Sequence, residues 1–179
     1  EGKLLSQETE SIQKIIDNVS KQRQWLHSQN IDDLLEFIDK LGKYWAEKFS
    51  KEIGINSKHL ISFLSKENLG KKLDIALRGN RNVLEKFIDL SDPELIFHAQ
   101  PRGIIVHWIA GNVDILGIFS VVQALVTKNV SIIKAPSEFK LLLKLIESIK
   151  EIKTEKILGN DLLKCIEIVY VDKHDQKNQ

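Results

Sequence analysis

The segment from Pro101 to Glu138 constrains the fold of this chain most strongly. Its sequence is PRGIIVHWIAGNVDILGIFSVVQALVTKNVSIIKAPSE. The pattern predicts two apolar strands separated by a turn and a wholly apolar helix: Ile104–Ile109, the turn Gly111-Asn112, Ile115–Val126 and Val130–Ile133. A strand, a helix and a strand in this order form a right-handed parallel crossover. The segment therefore predicts an open α/β sheet, in which ligands bind at the carboxyl ends of the strands.

The rest of the chain predicts a helical region followed by more of the α/β pattern. Apolar side chains recur at three- and four-residue steps up to about Asp89, which is typical of amphipathic helices. The other predicted elements are helices starting near Leu4 and Ile31, helices over Ser57–Leu64 and Asn68–Leu90, a strand over Leu95–His98, helices over Phe139–Ile152 and Asp161–Lys164, and a strand over Ile166–Val171. The helix over Asn68–Leu90 has a predicted weak point at Arg78-Gly79-Asn80. We expect an α/β fold with a partial doubly wound parallel sheet over residues 91–179. A helical N-terminal region over residues 1–90 precedes it.

Composition excludes several classes of protein. The 26 basic and 25 acidic residues give a net charge of +1, so no overall field favours nucleic acid. No apolar run reaches the roughly 18 residues that a membrane span requires. The single cysteine cannot form an internal disulfide, and a reducing cytoplasm is the expected location. The five histidines and one cysteine show no metal-ligand spacing, so no metal site is predicted.

Asn112 lies where a buried strand turns into a helix. A side-chain amide at this point can donate to an oxygen that gains negative charge during a reaction. The same residue can instead tolerate a left-handed turn or cap the helix, and Asp114 competes for the capping role. The local sequence by itself favours the structural role.

Lys134 ends the second strand of the segment, and Ser137 and Glu138 follow it at the start of the next helix. A lysine donates only, which suits ribose hydroxyls or phosphate oxygens above the sheet edge. The structural alternatives are a solvated lysine, a helix cap at Ser137 and a helix-dipole residue at Glu138.

The remaining reactive side chains favour structural roles. Cys165 lies among apolar residues with no basic partner nearby in the sequence, which predicts a buried and inert thiol. His98 and His107 lie within predicted strands and are interpreted as core or edge residues rather than bases.

The segment resembles the aldehyde dehydrogenase superfamily, and within it the acyl-CoA reductases of the LuxC type. PRGIIVHWIAGNV, KNVSIIKAPSE and the preceding FHAQPRG carry this resemblance, which covers about Pro93 to Glu138. It implies that residues 91–179 are the first part of a Rossmann-like, aldehyde dehydrogenase-like nucleotide-binding domain. It also implies that Asn112 donates to the thioester oxygen and that Lys134 bonds the adenosine ribose.

The resemblance gives further residues a place near the cofactor. Ala110 and Gly111 match backbone beside the nicotinamide, and Ser137 and Glu138 match the segment near the ribose. Three positions depart from the superfamily pattern: Gly111, Asp114 and Ala135. Because Glu138 would disfavour a 2′-phosphate and the nearby Lys140 would attract one, both NADPH and NADH stay open as cofactors.

The implied activity is reduction of a fatty acyl thioester, on CoA or on a protein, to an aldehyde through a cysteine thioester. Cys165 follows Asn112 too closely to be that nucleophile, so we expect an N-terminal portion that is inactive by itself. The resemblance leaves open a homo-oligomer and an acyl-transferase or synthetase partner. The alternatives are a non-catalytic nucleotide-binding or assembly module and another reductase of the superfamily.

Overall fold

The computed structural model describes residues 9–89, 95–109, 114–135 and 140–170. The described chain begins with a helical region and continues with an α/β region. The helical region contains α1 (Thr9–Ser28), α2 (Ile31–Lys48), α3 (Ser50–Ile53), a 3₁₀ turn (Gly54–Asn56), α4 (Ser57–Leu64), α5 (Lys66–Ala76) and a second 3₁₀ turn (Arg81–Leu84).

Helix α2 is the centre of the helical region, and its boundaries and buried face confirm the prediction. The Asn30 side chain accepts hydrogen bonds from the backbone N–H groups of Asp32 and Asp33, which caps the first turn. Its predicted apolar stripe is buried, ending with Trp45 and the C-cap residue Phe49. Helices α4, α5 and α6 pack against α2, so this stripe is enclosed by other helices.

The helix predicted over Asn68–Leu90 breaks at its predicted weak point, Arg78-Gly79-Asn80, and the prediction of α-helix beyond that point is wrong. Helix α5 ends at Ala76 because Arg78 and Gly79 both have positive φ, 57° and 89°, which a continuing helix cannot accommodate. The chain then forms the 3₁₀ turn and the short strand β1 (Ile88–Asp89). Strand β1 pairs antiparallel with β2 (Ile96–Phe97), the centre of the strand predicted over Leu95–His98.

The α/β region alternates strands and helices as the sequence predicts. It contains β3 (Ile104–Trp108), α6 (Asp114–Val126), β4 (Val130–Ala135), α7 (Lys140–Glu147), a 3₁₀ turn (Ser148–Glu151), α8 (Gly159–Leu163) and β5 (Ile166–Tyr170). Strands β3, β4 and β5 are parallel and lie in that order. The structure thus confirms an α/β chain with a parallel sheet behind a helical N-terminal region.

Strand β3 departs from the prediction of burial on both faces. Val106 and Trp108 lie two residues apart on one face of the strand, and they are 62% and 76% exposed. Among the described strands, β3 lies at one edge of the three-stranded sheet. Helix α1 packs against β4 and β5, and within the described ranges this face of β3 stays exposed.

The helical and α/β regions share one continuous apolar core. A buried hydrogen bond of 2.8 Å runs from Trp45 Nε1 in α2 to Ser148 Oγ after α7. The predicted boundary near residue 90 falls at a position outside the described residues and stays a prediction. No helix in the described ranges combines the length and apolar character needed to cross a bilayer.

A buried ion pair forms a second tie between the two regions. Lys128, in the turn before β4, places Nζ 3.5 Å from Glu85 Oε1 and 3.0 Å from the His27 carbonyl oxygen. Glu85 also accepts hydrogen bonds from the Ile31 backbone N–H and from Asn30 Nδ2. The pair therefore joins the end of α1, the start of α2 and the amino end of β4.

Candidate functional site at the carboxyl edge of the sheet

The carboxyl ends of the parallel strands form one edge of the sheet. Trp108 is the last residue of β3, and it lies opposite Lys134 in β4, which in turn lies opposite Val169 in β5. The ladder continues past Trp108, because the Ile109 backbone N–H donates to the Lys134 carbonyl oxygen at 3.1 Å. The hydrogen bonds of the sheet therefore fix the position of the Lys134 backbone.

Lys134 is half-buried and contacts an exposed aromatic ring. Its Nζ lies 4.8 Å from the centroid of the Trp108 ring, within the range of a cation–π interaction. Strand β4 extends one residue beyond Lys134, to Ala135. The predicted position of this lysine, at the carboxyl end of a parallel strand, is therefore confirmed.

The other predicted site residues lie outside the described residues. This group contains Ala110, Gly111, Asn112, Ser137 and Glu138. In the sequence, Ala110, Gly111 and Asn112 come shortly after β3, and Ser137 and Glu138 come shortly after β4. The ends of these two strands lie side by side. The roles proposed for these five residues, and for Lys134 towards a cofactor, stay predictions.

His107 is buried one residue before the end of β3, on the opposite face of the strand from Trp108. Its Nδ1 is 2.8 Å from Ser120 Oγ in α6, and its Nε2 is 3.1 Å from Ser131 Oγ in β4. Burial lowers the pKa of His107, because the charged imidazolium loses its hydration. A neutral imidazole with two hydroxyl partners confirms the interpretation of a satisfied core residue.

Cys165 lies at the opposite end of the sheet from Lys134. It directly precedes β5, and its carbonyl oxygen accepts a hydrogen bond from the Ser131 backbone N–H. The thiol is buried, and burial raises the pKa of Cys165 to about 12, with the Asp161 carboxylate adding to the rise. Such a thiol is almost entirely protonated at neutral pH, which confirms the prediction of an inert cysteine.

The aromatic partner of Lys134 was missing from the sequence interpretation. Trp108 and Lys134 each occur near the end of a predicted strand, and a parallel register brings strand ends together. The position of both residues near strand ends was therefore an available signal, whereas the exposure of the Trp108 ring is seen only in the structure. Among the described residues, no group of three His, Cys, Asp or Glu side chains is placed to hold a metal ion.

Comparison with known proteins gives a consistent result. The family model for acyl-CoA reductase (LuxC) matches residues 8–179. A long-chain acyl-protein thioester reductase of Photobacterium phosphoreum is 30% identical over 128 aligned residues, which cover 60% of this chain and 25% of the relative.

Two further relatives carry the same description. The long-chain acyl-protein thioester reductases of Aliivibrio fischeri and Photorhabdus laumondii are 41% and 39% identical over 59 residues. Each alignment covers 33% of this chain and 12% of the relative. In the longest of these three alignments the chain spans about a quarter of the relative's length. Because the family model matches nearly every residue, the chain belongs to the LuxC family of acyl-CoA reductases.

Proposed function

We propose that this chain is the N-terminal nucleotide-binding portion of a reductase that converts a fatty acyl thioester to an aldehyde with NADPH or NADH. The observation that carries the proposal is Lys134 at the carboxyl edge of a parallel sheet, in a chain of the LuxC family. The cysteine that forms the acyl-enzyme would lie beyond Gln179 in the product of the gene, since the described thiol of Cys165 is buried and protonated.

The order of the strands supports a partial doubly wound, aldehyde dehydrogenase-like fold. In the first half of a doubly wound sheet, successive strands are added in one direction through helical crossovers. Strands β3, β4 and β5 follow this order, with α6 and α7 in the two connections. The open edge of β3 is then the position at which the second half of such a sheet would begin.

The donor chemistry at the carboxyl edge fits a nicotinamide dinucleotide. Lys134 offers three N–H donors and a positive charge, which suit ribose hydroxyls and phosphate oxygens. In the proposal Ser137 and Glu138 lie near the same ribose, and Ala110 and Gly111 border the nicotinamide. When bound, the cofactor would supply the hydride that reduces the acyl carbon. The Asn112 amide would donate to the carbonyl oxygen as negative charge develops on it.

The substrate class follows from the relatives and the family. The curated relatives are named for long-chain acyl-protein thioesters, and the family for acyl-CoA. We therefore propose a fatty acyl group on CoA or on a protein thiol, such as that of an acyl-transferase or synthetase partner. One turnover would oxidise one NAD(P)H, release one thiol and form one aldehyde. A cytoplasmic location and a homo-oligomer complete the proposal.

The test is acyl-CoA-dependent oxidation of NADPH and NADH by the full-length product of the gene. Asn112→Ala should lower kcat by about 10²–10³, the usual effect of removing one oxyanion donor. Lys134→Ala should raise KM for the cofactor. Lys150→Ala, at an exposed lysine of the turn after α7, is the control and should change neither constant.

Two outcomes would contradict the proposal. Wild-type constants in both site variants would remove the roles of the amide and the ammonium. Nucleotide binding without any acyl-dependent oxidation would favour the non-catalytic binding module instead.

A further inference from the structure

Trp108 is unusual because a large aromatic side chain is left in solvent on a regular strand. It is 76% exposed, whereas Trp45 is almost fully buried in the core. Its ring therefore contributes little to the apolar core. The contact that the structure shows for the ring is with the Lys134 ammonium, 4.8 Å from the centroid.

We infer that Trp108 is a positioning residue that holds the Lys134 ammonium at the carboxyl edge for a phosphate- or ribose-bearing ligand. This inference rests on the proposed function, because it takes Lys134 as a residue that binds the cofactor. The contact is built from neighbouring strand ends in register, Trp108 opposite Lys134. The Ile109–Lys134 backbone hydrogen bond holds the two strands together just beyond the tryptophan.

An aromatic ring is a suitable partner for a lysine that must bind an anion. A carboxylate partner would fix the side chain, but it would also neutralise the charge and accept the N–H donors. The ring attracts the ammonium through its quadrupole and carries no net charge, so the positive charge stays available to a ligand. It also restricts a four-carbon stem that otherwise loses rotamer freedom when ligand binds.

A second lysine, in the turn before β4, shows the contrast. Lys128, at the amino end of β4, is paired with the Glu85 carboxylate and the His27 carbonyl oxygen. The Glu85 carboxylate neutralises its charge, and the His27 carbonyl oxygen accepts one of its hydrogen bonds. Lys128 and Lys134 are thus held in different ways at the two ends of one strand, and the ring-held lysine lies at the end where α/β sheets bind ligands.

The experiment measures cofactor binding and kinetics in the full-length gene product. Trp108→Leu should weaken binding of NADPH and of ADP-ribose, measured by calorimetry, by about two- to fivefold, the effect of one exposed cation–π contact. KM for the cofactor should rise by the same factor with kcat unchanged. Trp108→Phe should restore most of the affinity, because phenylalanine also presents a ring. Val106→Ala, on the same exposed face of β3, is the matched control and should leave binding unchanged.

A double variant separates this inference from the proposed function. In a Lys134→Ala background, Trp108→Leu should cause no further loss of affinity, since the ring acts through the ammonium. An equal loss in both backgrounds would overturn the positioning role. If Lys134→Ala weakens binding and Trp108→Leu does not, only this inference fails. If Lys134→Ala itself leaves binding unchanged, the proposed cofactor role of the lysine fails. Thermal unfolding should be similar in all variants, because both side chains are outside the core.

Discussion

The two partners of the buried Lys128–Glu85 ion pair should respond very differently to removal. The Lys128 side chain is 2% exposed, whereas that of Glu85 is 23% exposed. Glu85→Gln therefore leaves an ammonium that water cannot reach and that has neutral acceptors, the His27 carbonyl oxygen among them, in place of a carboxylate. Lys128→Met leaves a carboxylate that water can reach and that keeps its bonds to Ile31 and Asn30. We expect the glutamate substitution to be the more destabilising one.

The magnitudes follow from this difference in exposure. Breaking a buried ion pair from one side costs about 3–5 kcal/mol, and the partial exposure of Glu85 favours a value of about 3 kcal/mol for Glu85→Gln. Lys128→Met removes one hydrogen bond to the His27 carbonyl and leaves no buried charge, so about 1–2 kcal/mol is expected. The double variant should cost less than the sum of the single variants, because the uncompensated ammonium is absent from it.

Urea unfolding at neutral pH, followed by circular dichroism, measures these free energies. The pH dependence gives a second readout, since burial lowers the pKa of Lys128 while Glu85 raises it. Removing Glu85 lowers the folded-state pKa of Lys128 further, so the Glu85→Gln variant should regain stability relative to wild type as pH rises towards the unfolded-state lysine pKa of about 10.4. A larger cost for Lys128→Met than for Glu85→Gln would refute the reasoning.

Three other substitutions test the fold. The lowered pKa of His107 predicts stability that is full above its unfolded-state pKa of about 6.5 and falls as the pH drops below that value. Denaturant titration of His107→Gln should show a weaker dependence of stability on pH. Gly159→Ala should prevent folding or cost several kcal/mol in the melting curve, because a Cβ would lie 2.6 Å from the Ile152 carbonyl oxygen. Ser148→Ala should lower the free energy of unfolding in urea by about 1–3 kcal/mol, because it leaves the buried Trp45 Nε1 unpaired. The double variant Trp45→Phe/Ser148→Ala should lose less than the sum of the two single-variant losses.

The sequence predicted the elements whose pattern is set by burial. The stripe of α2, the short helix α4 and the three parallel strands all follow from apolar spacing that a core must satisfy. A weak point in the helix over Asn68–Leu90 was predicted at Arg78-Gly79-Asn80, but the complete end of α5 there was not, because a positive φ at Arg78 cannot be read from the residue type.

The exposed face of β3 shows a different reason for failure. The run from Ile104 to Ile109 is apolar on both faces, and that pattern predicts cover on both faces. Whether a face is covered depends on where α1 packs, and α1 lies against β4 and β5. The residues of a strand do not by themselves predict which distant helix packs against it. The Trp108–Lys134 contact was missed for the same reason, since register joins residues that are far apart in the chain.

The two ends of the sheet differ in how completely their polar groups are used by the fold. At the amino end, the Asn129 side chain accepts from the Gly103 backbone N–H, and Glu85 and the His27 carbonyl engage Lys128. Each of these contacts joins strand β4 or the turn before it to another segment, so the polar groups at this end stabilise the fold. At the carboxyl end, the contact shown among the described residues for the Lys134 ammonium is with the neutral Trp108 ring. Because a neutral ring does not neutralise the ammonium as a carboxylate would, this asymmetry supports the proposal of a binding site at the carboxyl end. It does so independently of any likeness to other proteins.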